Sequence, residues 1–345
     1  MPRRRPLLAF AALAITGALG LTGCVAGEGS SIASDPEPAA QEGWSADTLD
    51  IDFATYNPLS LIIKDQGWLE EATDGEVTVN WLQSAGSNKA NEALRAGAID
   101  VGSTAGSAAL LARSNGSPIK TIDIYTQPNW SAILVPAGSP ITSVEELRGK
   151  SIAATKGTDP YFFLLQTLEE AGLTLADVNV QNLQHADGKA ALESGAVDAW
   201  SGLDPLLSTS VATAGSKIIY DNVDFNTYGF LNATEDFLEA SPDLAQLVVD
   251  AYEKARAWAL ENPEETAAIL AEVAGIDPAI AEATIERTVI DIDNVPGDAQ
   301  REVLEVVGPI FVESGDVADQ ASIDTALDSL FDDSFATEAD PDSVG

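Results

Sequence analysis

The chain has 345 residues, with 17 Lys and Arg against 55 Asp and Glu, for a formal net charge of −38. So large an acidic excess sets aside nucleic acid and anionic lipid headgroups as partners, because their phosphates would be repelled. One cysteine and one histidine in the whole chain leave no internal disulfide and no Cys/His metal cluster to build. The length suffices for two lobes, each with its own core.

In chain order, Arg3, Arg4 and Arg5 open a basic segment, and an apolar stretch runs from Leu7 to Leu21, broken only by small residues such as Thr16, Gly17 and Gly20. At roughly 15 residues it falls short of the ~20 that a spanning helix needs and reads as an export signal. It closes on Leu21-Thr22-Gly23-Cys24, which resembles the bacterial lipoprotein lipobox. The resemblance implies a signal peptide over 1–23, cut before Cys24, and a diacylglycerol on the Cys24 sulfur. Two or three acyl chains hold a protein firmly on a bilayer where one does not, so the protein is expected on the outer face of the bacterial cell membrane. Residues 24–47, rich in Gly, Ser, Glu, Pro and Ala, read as a flexible tether. Residues 332–345 are acidic with one proline and are expected to fray.

Between these ends, short apolar runs alternate with helical stretches, the pattern of an α/β sheet. Strands are predicted at Leu49–Phe53, Val77–Leu82, Ile99–Gly102 and Ile119–Tyr125, with helices at Pro58–Leu69, Lys89–Ala96 and Ala105–Asn115. The run Ala132–Val135 leads into a second series, with strands Ser151–Ala154, Val178–Leu183, Val197–Trp200 and Lys217–Tyr220. Its helices are Pro160–Ala171, Ala186–Glu193 and Pro205–Thr213. One phrase occurs in both series: Leu94-Arg95-Ala96-Gly97-Ala98-Ile99-Asp100-Val101 returns as Leu192-Glu193-Ser194-Gly195-Ala196-Val197-Asp198-Ala199. Each reads as a helix ending at a left-handed glycine, followed at once by a buried strand. Two equivalent lobes follow from that. Beyond Tyr228–Asn232 the chain is helical from Asp236 to Leu330.

Several phrases in this order and spacing resemble the type II periplasmic-binding-protein fold, and within it the aliphatic-sulfonate, taurine and nitrate-binding branch. They are Pro58-Leu59 with Lys64-Asp65-Gln66-Gly67-Trp68-Leu69-Glu70, Ala85-Gly86 before Glu92-Ala93-Leu94, and Gly97 through Gly102. Ile133-Leu134-Val135, Ser143 through Lys150, Lys156-Gly157-Thr158, Ala186-Asp187 through Trp200, and Asp204-Pro205 continue the match. It covers about Phe53 to Asn232. The resemblance implies lobe 1 over 48–130 and 229–331 and lobe 2 over 131–228, with two crossover hinges near Tyr125–Pro136 and Asn226–Ala233 and a helical C-terminal part. It also implies the extracytoplasmic solute-binding component of an ABC importer: a monomer that serves permease and ATPase subunits, with no cofactor and no catalysis. Two departures bear on the ligand. The family's W-x-x-W-D-P-Y reads Trp200-Ser201-Gly202-Leu203-Asp204-Pro205-Leu206 here, and His185 stands where a proline commonly precedes Ala-Asp.

In an open parallel sheet, ligands settle beyond the C-terminal strand ends, where helix starts present unpaired N–H groups and favour negative charge. The loops at those positions supply Tyr56 and Asn57; Ser84, Gly86, Ser87 and Asn88; Ser103 and Thr104; Gly157 and Thr158; and Ser201. These are largely small, hydroxylic or amide residues, suited to an oxyanion held by neutral donors; the competing reading is that they only cap helices. Lys156 either points its ammonium at the anion or joins a surface ion pair. Asp159-Pro160 and Asp204-Pro205 both look like an N-cap followed by proline at the first helical position. On the functional reading one of them, Asp204 in the candidate set, meets an ammonium on a taurine-like zwitterion. Trp130, Tyr161 and Tyr228 are expected to wall the apolar end of the ligand, with Trp130 and Tyr161 preferred over Trp200. His185 lacks an orienting partner and a nucleophile and reads as a loop or helix-start residue. No nucleophile elbow, phosphate-binding loop or dinucleotide fingerprint stands in context.

The expected function is capture of a small anionic solute, an aliphatic sulfonate or taurine, in the cleft between lobes. The alternatives on the same fold are nitrate or a heteroaromatic vitamin precursor. From other classes come a surface sensor or interaction protein and a lipid-anchored enzyme. The anchor has its own test: Cys24→Ala should leave the protein without acyl chains and outside the membrane fraction, and unchanged fractionation would refute the lipobox reading.

Overall fold

Two sheets organise Gly43–Gly345, the part of the chain that this computed structural model describes; the signal segment, Cys24 and most of the tether lie outside the described residues. In order the elements are β1 Thr48–Phe53, α1 Pro58–Gln66, α2 Trp68–Ala72, β2 Thr78–Gln83, α3 Ser87–Arg95, β3 Val101–Ala105, α4 Gly106–Ser114 and β4 Ile119–Pro128. Then come β5 Ser131–Val135, β6 Ser151–Ala154, α5 Asp159–Glu170, β7 Asn179–Asn182, α6 His185–Glu193, β8 Ala199–Leu203, α7 Leu206–Ala214 and β9 Lys217–Tyr220. The chain returns through β10 Gly229–Thr234 and continues as α8 Glu235–Ala240, α9 Pro242–Glu261, α10 Pro263–Ala274, α11 Pro278–Glu286, β11 Thr288–Val289, α12 Asp298–Glu313, α13 Gln320–Leu327 and α14 Ser334–Thr337.

The first sheet has the order β11-β4-β10-β3-β1-β2 and the second β7-β6-β8-β5-β9. In each, three strands run parallel (β2, β1, β3 and β7, β6, β8), and the strand arriving from a crossover, β10 or β5, runs antiparallel beside them. The repeated phrase encodes this equivalence. Gly97 and Gly195 are both left-handed, at φ 63° and 73°, where a Cβ would be strained. Just beyond, Asp100 and Asp198 do the same work: each carboxylate accepts the backbone N–H of the residue just before the adjacent parallel strand's first pair with β3 or β8, Asp50 before Ile51 in one case and Ser151 before Ile152 in the other, at 2.9 Å. That bond sets where pairing begins. It also explains why β3 and β8 start two residues later than their apolar runs suggest. The predicted helix Pro58–Leu69 likewise divides in two at Gly67, whose φ of 66° ends α1.

The cores depart from one-per-lobe. One joins Leu49, Ile51, Leu59, Ile62, Val248 and Tyr252 across β1, α1 and α9. A smaller one in the second lobe packs Leu134, Ala153, Leu207 and the fully buried Trp200. Another runs through both lobes: Ile133, Ile152, Phe162 and Phe163 pack with Phe230, Leu304, Val307 and Phe311. At its centre the Phe162 and Phe311 rings lie 4.2 Å apart, so α12 seals α5 of the second lobe against the first.

One cation enters the first lobe with several partners. Arg256 on α9, 7 % exposed, donates to the carbonyls of Ile124, Tyr125 and Ile290 and lies beside Glu253 and Asp123. Through the three carbonyls and Asp123, Arg256 ties α9 to the middle of β4 and to the residue after β11. The acidic tail does not fray as expected. Asp250 accepts from Asp340 N and Ser343 Oγ at 2.9 and 2.8 Å, Lys254 Nζ reaches the Val344 carbonyl, and Val344 is 2 % exposed. The tether also ends earlier than residue 47, because Ser45 N and Oγ bond Asp243 and Trp44 packs on the core.

Asp52, wholly buried in β1, accepts from Ser103 N at 2.8 Å and from Ser103 Oγ. Burial outweighs these bonds and the nearby Ser84 hydroxyl, pushing the carboxyl up to about 7. A raised carboxyl binds a proton in the native state that the unfolded chain has released, so its stabilising share is complete below the ordinary 3.8 and is lost as pH rises toward 7. Asp52→Asn, which mimics the protonated form, should therefore gain in melting temperature over the parent from pH 5 to pH 8. A constant difference across that range would show that Asp52 ionises freely.

Candidate functional site

The lobes meet where helices begin, and three contacts close them together. The central one is Asp159, the first residue of α5 and 1 % exposed. Its carboxylate accepts from Ser107 Oγ on α4 of lobe 1 (2.6 Å), from Trp130 Nε1 on one crossover (2.7 Å), and from Thr227 N and Oγ1 on the other (2.9 and 2.7 Å). Ser107 N in turn donates to Thr227 Oγ1 at 3.0 Å. Burial still outweighs these donors and raises the carboxyl above its ordinary value. Thr158, not Asp159, stands at the cap position, so Asp159 is not the N-cap expected for this Asp-Pro pair. Its carboxylate faces across the cleft instead.

The second contact joins the starts of α3 and α6. A Cβ placed on Gly86 would lie 3.0 Å from Cδ2 and Nε2 of His185, and one on Gly157 would lie 3.5 Å from Asn88 Cβ. The helix starts of the two lobes thus face one another, and only glycine permits the approach at Gly86.

The third contact is Arg287, just after α11. It pairs with Asp204 of lobe 2 at 3.1 Å and Asp221 at 3.6 Å, and donates to the Asn129 carbonyl at 2.6 Å. Asp204 also accepts from Ser208 N and Oγ within α7. Burial raises its carboxyl, while Ser208 and Arg287 pull it back. Asn226 links the crossovers, accepting from Ser131 N and donating to Asn129 Oδ1.

Of the candidate residues, Tyr56, Trp130 and Asp204 come together with Thr55, Leu270 and Thr284 around a void that holds little more than a water molecule. The Tyr56 and Trp130 rings meet edge to face at 6.1 Å. Gly86, Asn88 and Gly157 form the second contact, with Ser84 and Ser87 buried beside it. Several candidates, Ser87 among them, are already engaged within a lobe. Asn57 caps α1 and donates to Tyr252 OH, and Ser87 Oγ accepts from Ala105 N.

Ser103 and Thr104 lie inside β3 rather than after it; the first bonds Asp52, and the second accepts from Asn232. In a strand buried along its whole length no turn residue marks the end, and these hydroxyls had served as that mark. Ser201 Oγ donates to the Pro160 carbonyl, and Thr158 Oγ1 to that of Thr155. Tyr161 belongs to the shared core, where burial and Asp316 push its hydroxyl up to about 12. Lys156 is exposed, its ammonium 5.3 Å over the Tyr161 ring. Tyr228 is half-buried, and its carbonyl accepts from Gly106 N at the start of α4.

The sequence reading missed Ser107, Thr227, Arg287 and His185 as members of the lobe contact. Ser107 stands three residues past Thr104, at the start of α4, and was within reach; Arg287 offered no local signal. Among the described residues no cluster of three or more His, Cys, Asp or Glu stands in place for a metal, and no helix is long and apolar enough to cross a membrane.

Two α/β lobes of one strand order, joined by two crossovers and closing helix start against helix start, define a two-lobed binding protein of the type II periplasmic fold. The chain belongs to the family described as NMT1/THI5 like, whose profile matches residues 60–266. It is 30 % identical over 226 residues (65 % of this chain, 71 % of the relative) to a protein of Escherichia coli (strain K12) named "Putative aliphatic sulfonates-binding protein". A protein of the same name from Bacillus subtilis (strain 168) is 31 % identical over 239 residues, 68 % of this chain and 71 % of that one. Among solved structures, the alkanesulfonate-binding protein SsuA from Xanthomonas axonopodis pv. citri, bound to MOPS, superposes with a TM-score of 0.73 at 23 % identity, covering 81 % of this chain and 98 % of that one.

If Asp159 joins the lobes, its loss strands buried donors on three elements at about 1–3 kcal/mol each. Asp159→Ala should therefore cost about 3 kcal/mol or more in chemical denaturation and loosen the lobe contact. Ser107→Ala, which removes one donor, should cost about 1 kcal/mol. Equal, small losses in both would place the network outside the stability of the closed form.

Proposed function

We propose that the protein is the solute-binding component of an ABC importer, that it captures an aliphatic sulfonate or taurine between its lobes, and that it carries out no catalysis. The observation that carries this is the meeting of α3 and α6 across the cleft, in a chain whose family relatives are named for aliphatic sulfonates. A sulfonate stays charged at physiological pH and has three oxygens to accept bonds, so backbone N–H groups at helix starts can hold it without a cation. That matters in a chain of net charge −38, where long-range attraction is absent and screening over ~8 Å leaves capture to groups in direct contact. The ligand set is drawn from Tyr56, Ser84, Gly86, Ser87, Asn88, Trp130, Gly157, Thr158 and Asp204. Of these, Asp204 is the carboxylate proposed to meet an ammonium, in competition with Arg287, which pairs with it in the closed form.

The void at Tyr56, Trp130 and Asp204 is too small for such a solute, so the lobes must part to admit it. Closure over the ligand then creates the shape that permease subunits read. The protein acts as a monomer, tethered through a lipid on Cys24 to the outer face of the membrane. Nitrate remains the second reading on this fold.

Calorimetry and thermal shift with ethanesulfonate, taurine and nitrate test the assignment. At least one sulfonate should bind one-to-one, and at a hundredfold excess over Kd it should add about 2.7 kcal/mol to stability. Silence toward both sulfonates would end the ligand assignment, and a response to nitrate alone would move it to the second reading.

A further inference from the structure

We propose that His185 makes closure of the cleft pH-dependent: the lobes close over an imidazole whose Nε2 carries no proton, and acid parts them. The idea rests on the reading of the chain as a closing binder, yet most of its test needs no solute.

His185 opens α6 and is 2 % exposed. The single proton of the Thr155 hydroxyl goes to the Leu183 carbonyl at 2.7 Å. Thr155 Oγ1, 3.2 Å from His185 Nδ1, can therefore only accept, which places the ring proton on Nδ1 and leaves Nε2 bare. Nε2 has no partner, and the edge that carries it presses on lobe 1, where a Cβ on Gly86 would fall 3.0 Å away. Asn88 Oδ1 lies on the same side and, like Nε2, is buried without a hydrogen-bond partner. In this arrangement a proton on Nε2 would enter the contact with no hydrogen bond made to it, between two helix starts that disfavour positive charge.

Charged neighbours do not relieve this. On α3, Lys89 is paired with Glu92 at 2.7 Å; after β6, Lys156 is exposed over Tyr161. On α6 itself, Asp187 is exposed and Lys189 pairs with Glu193 at 2.9 Å. Burial alone lowers the ring from its ordinary 6.5 to about 4.

When the lobes part, the Nε2 edge meets water and the ordinary value returns. Closing therefore expels a proton below pH 6.5, so the closed form is favoured above that pH and loses ground as pH falls toward 4. Between pH 7.5 and pH 5 these two values make closure about 30-fold less favourable.

The chain holds a single histidine, so untagged protein gives one imidazole signal in proton NMR. Without solute, its midpoint should fall well below 6.5, and small-angle scattering should show the radius of gyration rising from pH 7.5 to pH 5. His185→Gln should show no such rise. His185→Pro, which suits a first helical position, serves if Gln does not fold. Taurine or ethanesulfonate affinity should fall over that range in the parent, by at most about 30-fold and by less the further the solute-free midpoint lies below 6.5, and should not fall in the variant. A ring titrating near 6.5 with an unchanging radius overturns the proposal. So does an acid response that survives the substitution, which would belong to Asp159 or Asp204. If no sulfonate binds at pH 7.5, the ligand assignment fails, while the NMR and scattering results still decide the role of His185.

Discussion

The architecture depends on a carboxylate with four donors. Asp159 sits at the start of a lobe 2 helix, yet every hydrogen bond to its side chain comes from elsewhere: one from a lobe 1 helix and three from the two crossovers. A buried carboxylate is costly unless its lone pairs are satisfied. The chain satisfies them only when both lobes and both connections are in one arrangement. The same requirement places Trp130 and Thr227, which belong to the segments about which any opening must turn.

Two kinds of contact therefore share the lobe boundary. On one, α12 lays Phe311 against Phe162 in a continuous apolar core, and parting it would expose aromatic surface. On the other, glycine meets histidine and asparagine, with little apolar area to lose. Motion is cheaper on the second, where the helix starts gather. On the proposed reading, the acidic molecule grips its anion there through neutral donors set by backbone geometry, not through net charge.

The frame was legible because it is written locally. Glycine at a helix end, an aspartate three residues later and an apolar run reproduce one βα unit twice, and both copies fold alike down to the bond that precedes the adjacent strand's pairing. The site was legible only by neighbourhood. Loops beyond strand ends could be named, but Ser103, Thr104 and Ser201 turn out to bond inside their own lobe. His185 and Arg287 carry no local pattern that sets them apart from surface residues. Each gains its meaning from a residue about a hundred positions away.

By itself the sequence determined the class of fold, most of the strands and helices along the chain, and the family, because backbone conformation and alternation of apolar runs depend on near neighbours. Only the tertiary structure decided which polar side chains were already engaged, which carboxylate crossed the cleft, and that the acidic tail docks on α9. Those outcomes depend on desolvation and on partners distant in the chain, and neither quantity exists until the lobes come together.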